Sequence, residues 1–262
     1  MSPHRRVAVL GLGEAGGLIA AGLVRAGADV HGYDPRVPAP AGVHSHAEAA
    51  QACSGAGVVL SVNSAAVALD VLADGLPGCT PETIWADLNT AAPALKQAIE
   101  RAAGASARVV DVALMAPVPG RGLETPMTVS GPAAEAFAAA MRPYGATVDV
   151  IDGPVGAAAT HKLLRSVLLK GLAAVVIEAL EAARAAGREE WLRGVIVDEL
   201  TAANESTLDR LVTGSRAHAV RRTHEMEAAA DLLDELGVPA RVTRASRDWL
   251  ADLAARGDAD PR

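Results

Sequence analysis

Apolar residues follow two different patterns along this chain. In the first part, short apolar runs alternate with polar or amphipathic stretches. Such runs are typical of strands buried in a sheet, and the stretches between them are typical of helices. The predicted strands cover residues 7–10, 28–33, 58–62, 84–88, 108–114, 127–130 and 147–151. Strands that alternate with helices predict a mostly parallel sheet covered by helices on both faces.

From residue 157 onward the pattern becomes helical throughout. Apolar residues recur at helical spacing over 157–186 with no strong breaker except Gly171, which predicts one long helix. Three more helices are predicted, over 189–211, 215–236 and 241–255. We therefore expect an α/β Rossmann-type, doubly wound sheet over 1–154. A long bridge helix then leads into an all-helical C-terminal domain, 155–262.

The first predicted strand runs directly into a glycine motif. Gly11, Gly13 and Gly16 stand at G-x-G-x-x-G spacing, with a helical pattern after them. In a dinucleotide site these glycines allow a tight turn, the approach of a pyrophosphate, and close packing of helix on strand. Asp34 ends the next strand, where a carboxylate can accept hydrogen bonds from an adenosine ribose. Glycine spacing alone also occurs in plain turns, but in this setting it predicts a dinucleotide site.

Polar residues follow two later strands, where ligands of parallel sheets bind. Instead of binding a ligand, these polar residues could have ordinary roles in loops and helix caps. Asp34 would repel a 2′-phosphate and favours NAD, whereas Arg36 could bind that phosphate, so NADP stays open. The predicted cofactor contacts are Gly11, Leu12, Gly13, Glu14, Ala15, Gly16, Asp34, Arg36, Val62, Asn63, Asn89 and Thr90.

The bridge helix carries an unusual set of charges. Lys162, Ser166 and Lys170 are four residues apart and share one face, with Arg165 beside them. One interpretation is an exposed stripe whose aliphatic stems cover apolar surface. The other places this face beneath the nicotinamide, with Lys162 as a proton shuttle whose pKa is lowered by desolvation or cationic neighbours. Arg165 or Lys170 would then bind a substrate carboxylate.

Charge and composition exclude several kinds of partner. A net charge of −7 without a basic stripe argues against a nucleic-acid surface. Charges interrupt the most apolar long run, 163–180, so no membrane span is expected. Cys53 and Cys79 stand in no metal or disulfide pattern, which suits a reducing cytosol. We expect a soluble cytoplasmic protein.

Histidines give no metal signature either. No pair has the H-x-x-x-H or H-E-x-x-H register, so no metal site is expected. A cluster that includes Arg221 and His224 is predicted on a helix of the C-terminal domain. It is interpreted as a solvated or dimer-facing surface, although Arg221 or His224 could instead close a substrate site.

Four segments together resemble the β-hydroxyacid dehydrogenases, which include 6-phosphogluconate dehydrogenases, 3-hydroxyisobutyrate dehydrogenases and the related imine reductases. GLGEAG at 11–16 resembles the family's cofactor turn, and DLNTAAP at 87–93 resembles its D-x-S-T-x-x-P segment. Asp111 with APVPG at 116–120 resembles a stretched D-A-P-V-S-G-G substrate loop. Gly156 followed by Lys162 is similar to the G-x-x-x-x-x-K that carries the catalytic lysine.

Departures from these motifs put the usual substrate in question. Asn89 and Pro119 each replace a serine, and Arg165-Ser166 stands where the family has two asparagines. The form K-x-x-R-S-x-x-x-K-G is closest to a 6-phosphogluconate-dehydrogenase-like branch. The resemblance implies the following substrate residues: Pro117, Val118, Pro119, Gly120, Arg165, Ser166 and Lys170.

The resemblance implies hydride transfer between NAD or NADP and a small carboxylate-bearing hydroxy or keto acid, with Lys162 as the proton shuttle. It also implies a homodimer through the helical domain. One alternative is an imine reductase, although imine reductases commonly have another residue in place of Lys162. A second alternative is a non-catalytic module that senses cofactor state, which would leave Lys162 without a role.

Overall fold

A computed structural model describes residues 6–257, and its first part is built on one eight-stranded sheet. The spatial order is β3-β2-β1-β4-β5-β6-β7-β8. The strands are β1 (Val7–Leu10), β2 (Val30–Tyr33), β3 (His44–Ser45), β4 (Val58–Ser61), β5 (Ile84–Asp87), β6 (Arg108–Leu114), β7 (Met127–Ser130) and β8 (Val148–Val150).

The sheet is parallel except at one junction, where β7 runs antiparallel to β6. β8 then runs parallel to β7. The chain winds outward from β1 in one direction through β2 and β3 and in the other through β4, so the order reverses between β1 and β4. Ligands of doubly wound sheets bind at this reversal, outside the carboxyl ends of the strands. The predicted doubly wound fold is confirmed.

Alternate side chains of the strands enter two separate cores, one on each face of the sheet. Val7 and Val9 of β1 lie in one apolar cluster, and Ala8 and Leu10 lie in the other. This alternation follows from the two-residue period of a strand. The covering helices are α1 (Glu14–Arg25), α2 (Ala49–Cys53), α3 (Ala68–Gly75), α4 (Pro93–Ala103) and α5 (Ala134–Met141).

The C-terminal region is entirely helical, as predicted. Its helices are α6 (Ala157–Ala185), α7 (Glu189–Ala202), α8 (Glu205–Ala217), α9 (Ala219–Glu235) and α10 (Arg241–Gly257). The chain divides into two compact units, and the boundary falls between Arg165 and Ser166, inside α6. Among the described residues, no helix is long and apolar enough to cross a membrane.

Two of the predicted helix ranges, 189–211 and 215–236, were wrong. The helix that begins at Glu189 ends at Ala202, and α8 runs through Ser215 to Ala217. Asn204 makes the break: its side chain accepts hydrogen bonds from the amides of Ser206 at 2.9 Å and Thr207 at 3.3 Å. This capping box starts a new helix where apolar periodicity alone continues across the junction.

Cys53 and Cys79 are both free thiols, and their side chains interact with each other. A hydrogen bond between the two side chains, together with burial, raises the pKa of the Cys53 thiol. The same hydrogen bond lowers the pKa of Cys79, against the effect of burial. The pair joins α2 to the segment that precedes β5.

Candidate cofactor and catalytic site

Two glycines of the turn after β1 are required by the protein's own packing. Gly11 has φ +97°, and a Cβ there would lie 2.1 Å from the carbonyl oxygen of Val62. A Cβ on Gly16 would lie 1.9 Å from the carbonyl oxygen of Gly11. The turn therefore presses against the end of β4, and α1 presses against the turn.

Gly13 has no such packing reason. Its φ of −60° and ψ of −166° suit any residue, and a Cβ at this position would meet no described atom within 4 Å. Gly13 is the N-cap of α1 and supplies no side chain to the free N–H groups of the first turn. Open space at the positive end of a helix dipole fits a pyrophosphate group. The turn therefore has the shape that a dinucleotide needs.

Asp34 is held by the backbone around it. Its carboxylate accepts hydrogen bonds from the amides of Leu12 and Arg36, both at 2.8 Å, and of Val37 at 3.0 Å. Partial burial opposes ionisation of Asp34, but these three hydrogen bonds outweigh it and lower the pKa of the carboxyl group. Asp34 thus fixes the glycine turn against the end of β2 and remains charged beside the predicted ribose position. Arg36 is exposed.

The ends of β4 and β5 are tied together by amide side chains. Asn63 donates its backbone N–H to Asn89 Oδ1 at 2.6 Å and its side-chain amide to Ser61 Oγ at 3.0 Å. Asn89 donates from Nδ2 to Asp87 Oδ2 at 2.9 Å. Because Asn89 is only 4% exposed, its amide connects two strand ends within the protein.

Lys162 reaches this same edge of the sheet from α6. Its Nζ donates to Thr90 Oγ1 at 2.9 Å. The beginning of α6 is fixed by Asp111 of β6, whose Oδ2 accepts hydrogen bonds from the amides of Gly156 at 3.1 Å and Ala159 at 2.8 Å. A carboxylate at a helix N-terminus complements the helix dipole. The helix start, and with it Lys162, is therefore held against β6 and the residues after β5.

A buried group of three charges lies directly beneath Lys162. Lys96 of α4 is 1% exposed, and its Nζ lies 2.5 Å from Asp87 Oδ1 and 3.2 Å from Asp111 Oδ1. The Lys96 ammonium also donates to the carbonyl oxygen of Asp87 at 2.8 Å. Lys96 and Asp111 line the same small depression as Lys162. One lysine thus joins the two aspartates that organise the ends of β5 and β6.

Sequence reasoning missed Lys96, although a signal was present. Within α4 the buried residues are Lys96, Ile99 and Ala103, which are spaced at three and four. Lys96 therefore occupies a core-facing position of an amphipathic helix. A lysine at such a position, between two strands that each carry an aspartate, indicates a buried ion pair, because an unpaired charge there would be strongly unfavourable.

The predicted substrate loop has a mixed environment. Pro117, Pro119 and Gly120 are exposed, whereas Val118 is 5% exposed and belongs to the core. The Val118 side chain therefore packs into the core, whereas its neighbours in the loop face outward. The carbonyl oxygen of Val118 accepts the amide of Gly122 at 2.8 Å and so closes the loop.

The remaining predicted substrate residues lie along the helices. Arg165 is exposed at the end of the first unit, and Ser166 and Lys170 follow in the second unit. On α9, Arg221 and His224 are exposed, and Arg221 forms an ion pair with Glu225 one turn later.

Comparison with known proteins gives two family matches. The model described as the NAD binding domain of 6-phosphogluconate dehydrogenase matches residues 6–142, more than half of the chain. The domain of unknown function DUF1932 matches residues 183–253. The search of curated proteins found no match.

Several solved structures are similar to this chain. A conserved hypothetical protein from Sinorhizobium meliloti 1021 is 30% identical to this chain and has a TM-score of 0.62. The match covers 95% of this chain and 88% of that protein. A conserved protein of unknown function with structural similarity to 3-hydroxyacid dehydrogenases is 29% identical, covers 96% and 99%, and has a TM-score of 0.64. An imine reductase from Streptomyces aurantiacus is 21% identical, covers 97% and 95%, and has a TM-score of 0.81. At that identity the likeness shows a shared fold.

The doubly wound sheet and the open glycine turn define a dinucleotide-binding protein. The chain belongs to the family of the NAD binding domain of 6-phosphogluconate dehydrogenase and is an NAD(P)-dependent oxidoreductase. The resemblance to the β-hydroxyacid dehydrogenases and imine reductases is thereby confirmed at the level of the family.

Proposed function

We propose that this protein transfers a hydride between a nicotinamide cofactor and a small carboxylate-bearing hydroxy or keto acid, with Lys162 moving the proton. The observation that carries the proposal is the hydrogen bond from Lys162 Nζ to Thr90 Oγ1 at 2.9 Å. It places a titratable amine at the carboxyl end of the sheet, the edge that also holds the glycine turn.

The bound nicotinamide would supply or accept the hydride. In the oxidising direction, neutral Lys162 Nζ takes the substrate hydroxyl proton as the neighbouring C–H bond is broken. In the reducing direction, the ammonium returns that proton to the carbonyl oxygen. The Thr90 hydroxyl orients the amine, and the Asp111 contacts with the start of α6 hold the lysine backbone in place. Arg165 offers positive charge to a substrate carboxylate.

The first experiment is a turnover screen of hydroxy acids, keto acids and cyclic imines with both nicotinamides. On an accepted substrate, Lys162→Ala should lower kcat by about 100- to 10,000-fold, the usual contribution of a positioned acid or base. Cofactor binding should be unchanged, because the glycine turn is intact. His161→Ala is the matched control, since His161 is the exposed neighbour on the same helix. Near-wild-type turnover of Lys162→Ala excludes the proton-transfer role.

Imine reduction is the principal alternative. The Streptomyces aurantiacus imine reductase shares the fold of this chain. The same screen separates the two reactions, because the main proposal requires turnover of a hydroxy or keto acid. If the protein turns over imines and no hydroxy or keto acid, imine reduction replaces the main proposal. A cofactor-sensing module predicts tight nicotinamide binding and no turnover of any of the three substrate classes.

The choice between NAD and NADP follows from two neighbouring residues. Asp34 keeps its negative charge and favours the free ribose hydroxyls of NAD, while exposed Arg36 is available to a 2′-phosphate. We propose NAD as the preferred cofactor. Dissociation constants for NADH and NADPH test this directly, and tighter binding of NADPH would contradict it.

We also propose a homodimer formed through the helical unit. Large apolar side chains are exposed there, including Val167 at 74%, Leu168 at 67% and Trp191 at 66%. So much exposed apolar surface is typical of an interaction site. Sedimentation should give twice the chain mass for the wild type and a lower mass for Leu168→Glu. The matched control is Leu69→Glu, which changes an exposed leucine of the first unit.

A further inference from the structure

Four polar side chains gather at the β2–β3 edge of the sheet. His31 and His44 are direct partners in the β2–β3 register. Asp29 Oδ1 lies 3.2 Å from His31 Nε2 and 3.7 Å from His44 Nε2. One nitrogen or oxygen atom from each of these three residues lies within 4.8 Å of the others. They form a compact cluster of three atoms that can serve as metal ligands.

His46 fixes the orientation of the His31 ring. His31 Nδ1 and His46 Nε2 are 2.7 Å apart, a distance that requires one proton between them. The two rings also stack, with centroids 4.9 Å apart and planes at 21°. When His31 donates this proton from Nδ1, its Nε2 lone pair faces Asp29 Oδ1. Metal-binding histidines characteristically donate their second ring N–H to such a partner, which sets the tautomer.

We propose that Asp29, His31 and His44 bind one divalent transition-metal ion, Zn²⁺ in the first instance. Zinc bonds of about 2.0–2.1 Å in a tetrahedron place ligand atoms roughly 3.3 Å apart. The distances of 3.2 and 3.7 Å from Asp29 Oδ1 to the two imidazole nitrogens are near that spacing, and all three atoms lie within 4.8 Å of one another. Two imidazoles and one carboxylate suit zinc and its neighbours rather than Mg²⁺ or Ca²⁺. His44 is largely exposed and leaves the fourth position to water.

Arg6 opposes cation binding but does not block it. Its Nε contacts the other carboxylate oxygen, Asp29 Oδ2, at 3.3 Å, and its Nη1 donates to the carbonyl oxygen of Ser54 at 2.8 Å. Asp29 Oδ1 is thus left for the metal. The nearby guanidinium charge weakens the site, so we expect reversible binding. A bound ion would link the two-residue strand β3 to β2. This structural role is independent of the reaction proposed above.

The ligand spacing explains why helical metal motifs do not reveal this site. Asp29 and His31 are two residues apart, as are His44 and His46. Residues two apart share one face of a strand, whereas H-x-x-x-H pairs share one face of a helix. D-x-H at the start of β2 and H-x-H at the end of β3 therefore place four side chains together, because His31 and His44 are paired in the register of these strands.

The experiment is a Zn²⁺ titration of the tag-free full chain against a chromophoric chelator. The wild type should bind one Zn²⁺ per chain at this site. His44→Ala removes an exposed ligand and should weaken zinc binding by about tenfold or more. His224→Ala removes an exposed histidine elsewhere and should leave binding unchanged. Equal zinc affinity of the wild type and His44→Ala overturns the proposal.

Thermal unfolding provides an independent measurement. Zn²⁺ should raise the Tm of the wild type but not of His44→Ala, because a ligand that binds only the folded state stabilises it. In excess chelator the two proteins should share one Tm, which shows that His44→Ala folds normally. His46→Gln should weaken zinc binding by about 10- to 100-fold, the usual effect of losing an orienting partner. An equal Tm rise in wild type and His44→Ala contradicts the site.

Discussion

Lys96 Nζ lies 2.5 Å from Asp87 Oδ1, and both side chains are 1% exposed. The same ammonium lies 3.2 Å from Asp111 Oδ1, while Asp111 Oδ2 accepts the first amides of α6. A charged lysine and two carboxylates inside the protein are tolerated because each has a close partner. This group joins α4 and the ends of β5 and β6 to the helix that carries Lys162.

Replacing Lys96 with Met should strongly destabilise the fold. The substitution leaves two buried carboxylates without their cation, and breaking a buried ion pair typically costs about 3–5 kcal/mol. The free energy of unfolding from denaturant titration measures the loss. Lys170→Met, at an exposed lysine, should change it by less than about 0.5 kcal/mol. A loss for Lys96→Met as small as that for Lys170→Met would refute the buried-pair argument.

Thr90 should affect the reaction through Lys162. Thr90→Val removes the hydroxyl that accepts from Nζ but keeps the shape, and we expect kcat to fall about tenfold, equivalent to one charged hydrogen bond of about 1.4 kcal/mol. Thr90→Ser should retain most activity because it keeps the oxygen. Steady-state kinetics on an accepted substrate test both variants. Equal kcat values for the Val and Ser variants would show that the hydroxyl has no such role.

Two glycines of one motif should respond differently to alanine. A Cβ at Gly13 meets no described atom, so Gly13→Ala should lower the free energy of unfolding by no more than about 1 kcal/mol, the cost of alanine at an N-cap. It should weaken NADH binding by about tenfold or more, because the methyl group occupies the pyrophosphate space. Gly16→Ala should destabilise the fold itself, since its Cβ would overlap the Gly11 carbonyl oxygen. Calorimetry and NADH fluorescence separate the two effects.

Glu178 should make the second unit sensitive to acid. Burial opposes its ionisation, but hydrogen bonds from the Thr243 hydroxyl and from the Val242 and Thr243 amides, each 2.7 Å long, outweigh this effect and lower the pKa of Glu178 below its ordinary value of 4.5. Its contribution is therefore present above about pH 4.5 and is lost as pH falls through the folded-state pKa.

Glu178 accepts the first amides of α10, so Glu178→Gln should be about 1 kcal/mol less stable than wild type near neutral pH. This is a typical cost of losing a side-chain cap at a helix N-terminus. The difference should shrink on acidification, because protonated Glu178 no longer accepts the same hydrogen bonds. Denaturant titrations across this pH range, at one fixed protein concentration, measure it. A difference that grows as the pH falls would reverse the assigned sign.

Much of the fold follows from local patterns. The strands β1, β6 and β7 have the predicted bounds, because continuous apolar runs between turns are distinctive of buried strands. The glycine turn was recognised because its spacing, strand and helix are all contiguous in sequence. Helix junctions were harder to predict: the break at Asn204 depends on one side chain bonding two amides, while the apolar period continues through it.

The sequence by itself determined the doubly wound sheet, the dinucleotide turn and the long helix that carries Lys162, since each depends on neighbouring residues and a fixed period. Only the tertiary structure decided which distant polar groups meet. It buried Lys96 between Asp87 and Asp111, placed Lys162 against Thr90, and set His31 beside His44. These relationships depend on strand order, register and helix packing, so the chemistry proposed for the two sites rests on contacts between residues far apart in the chain.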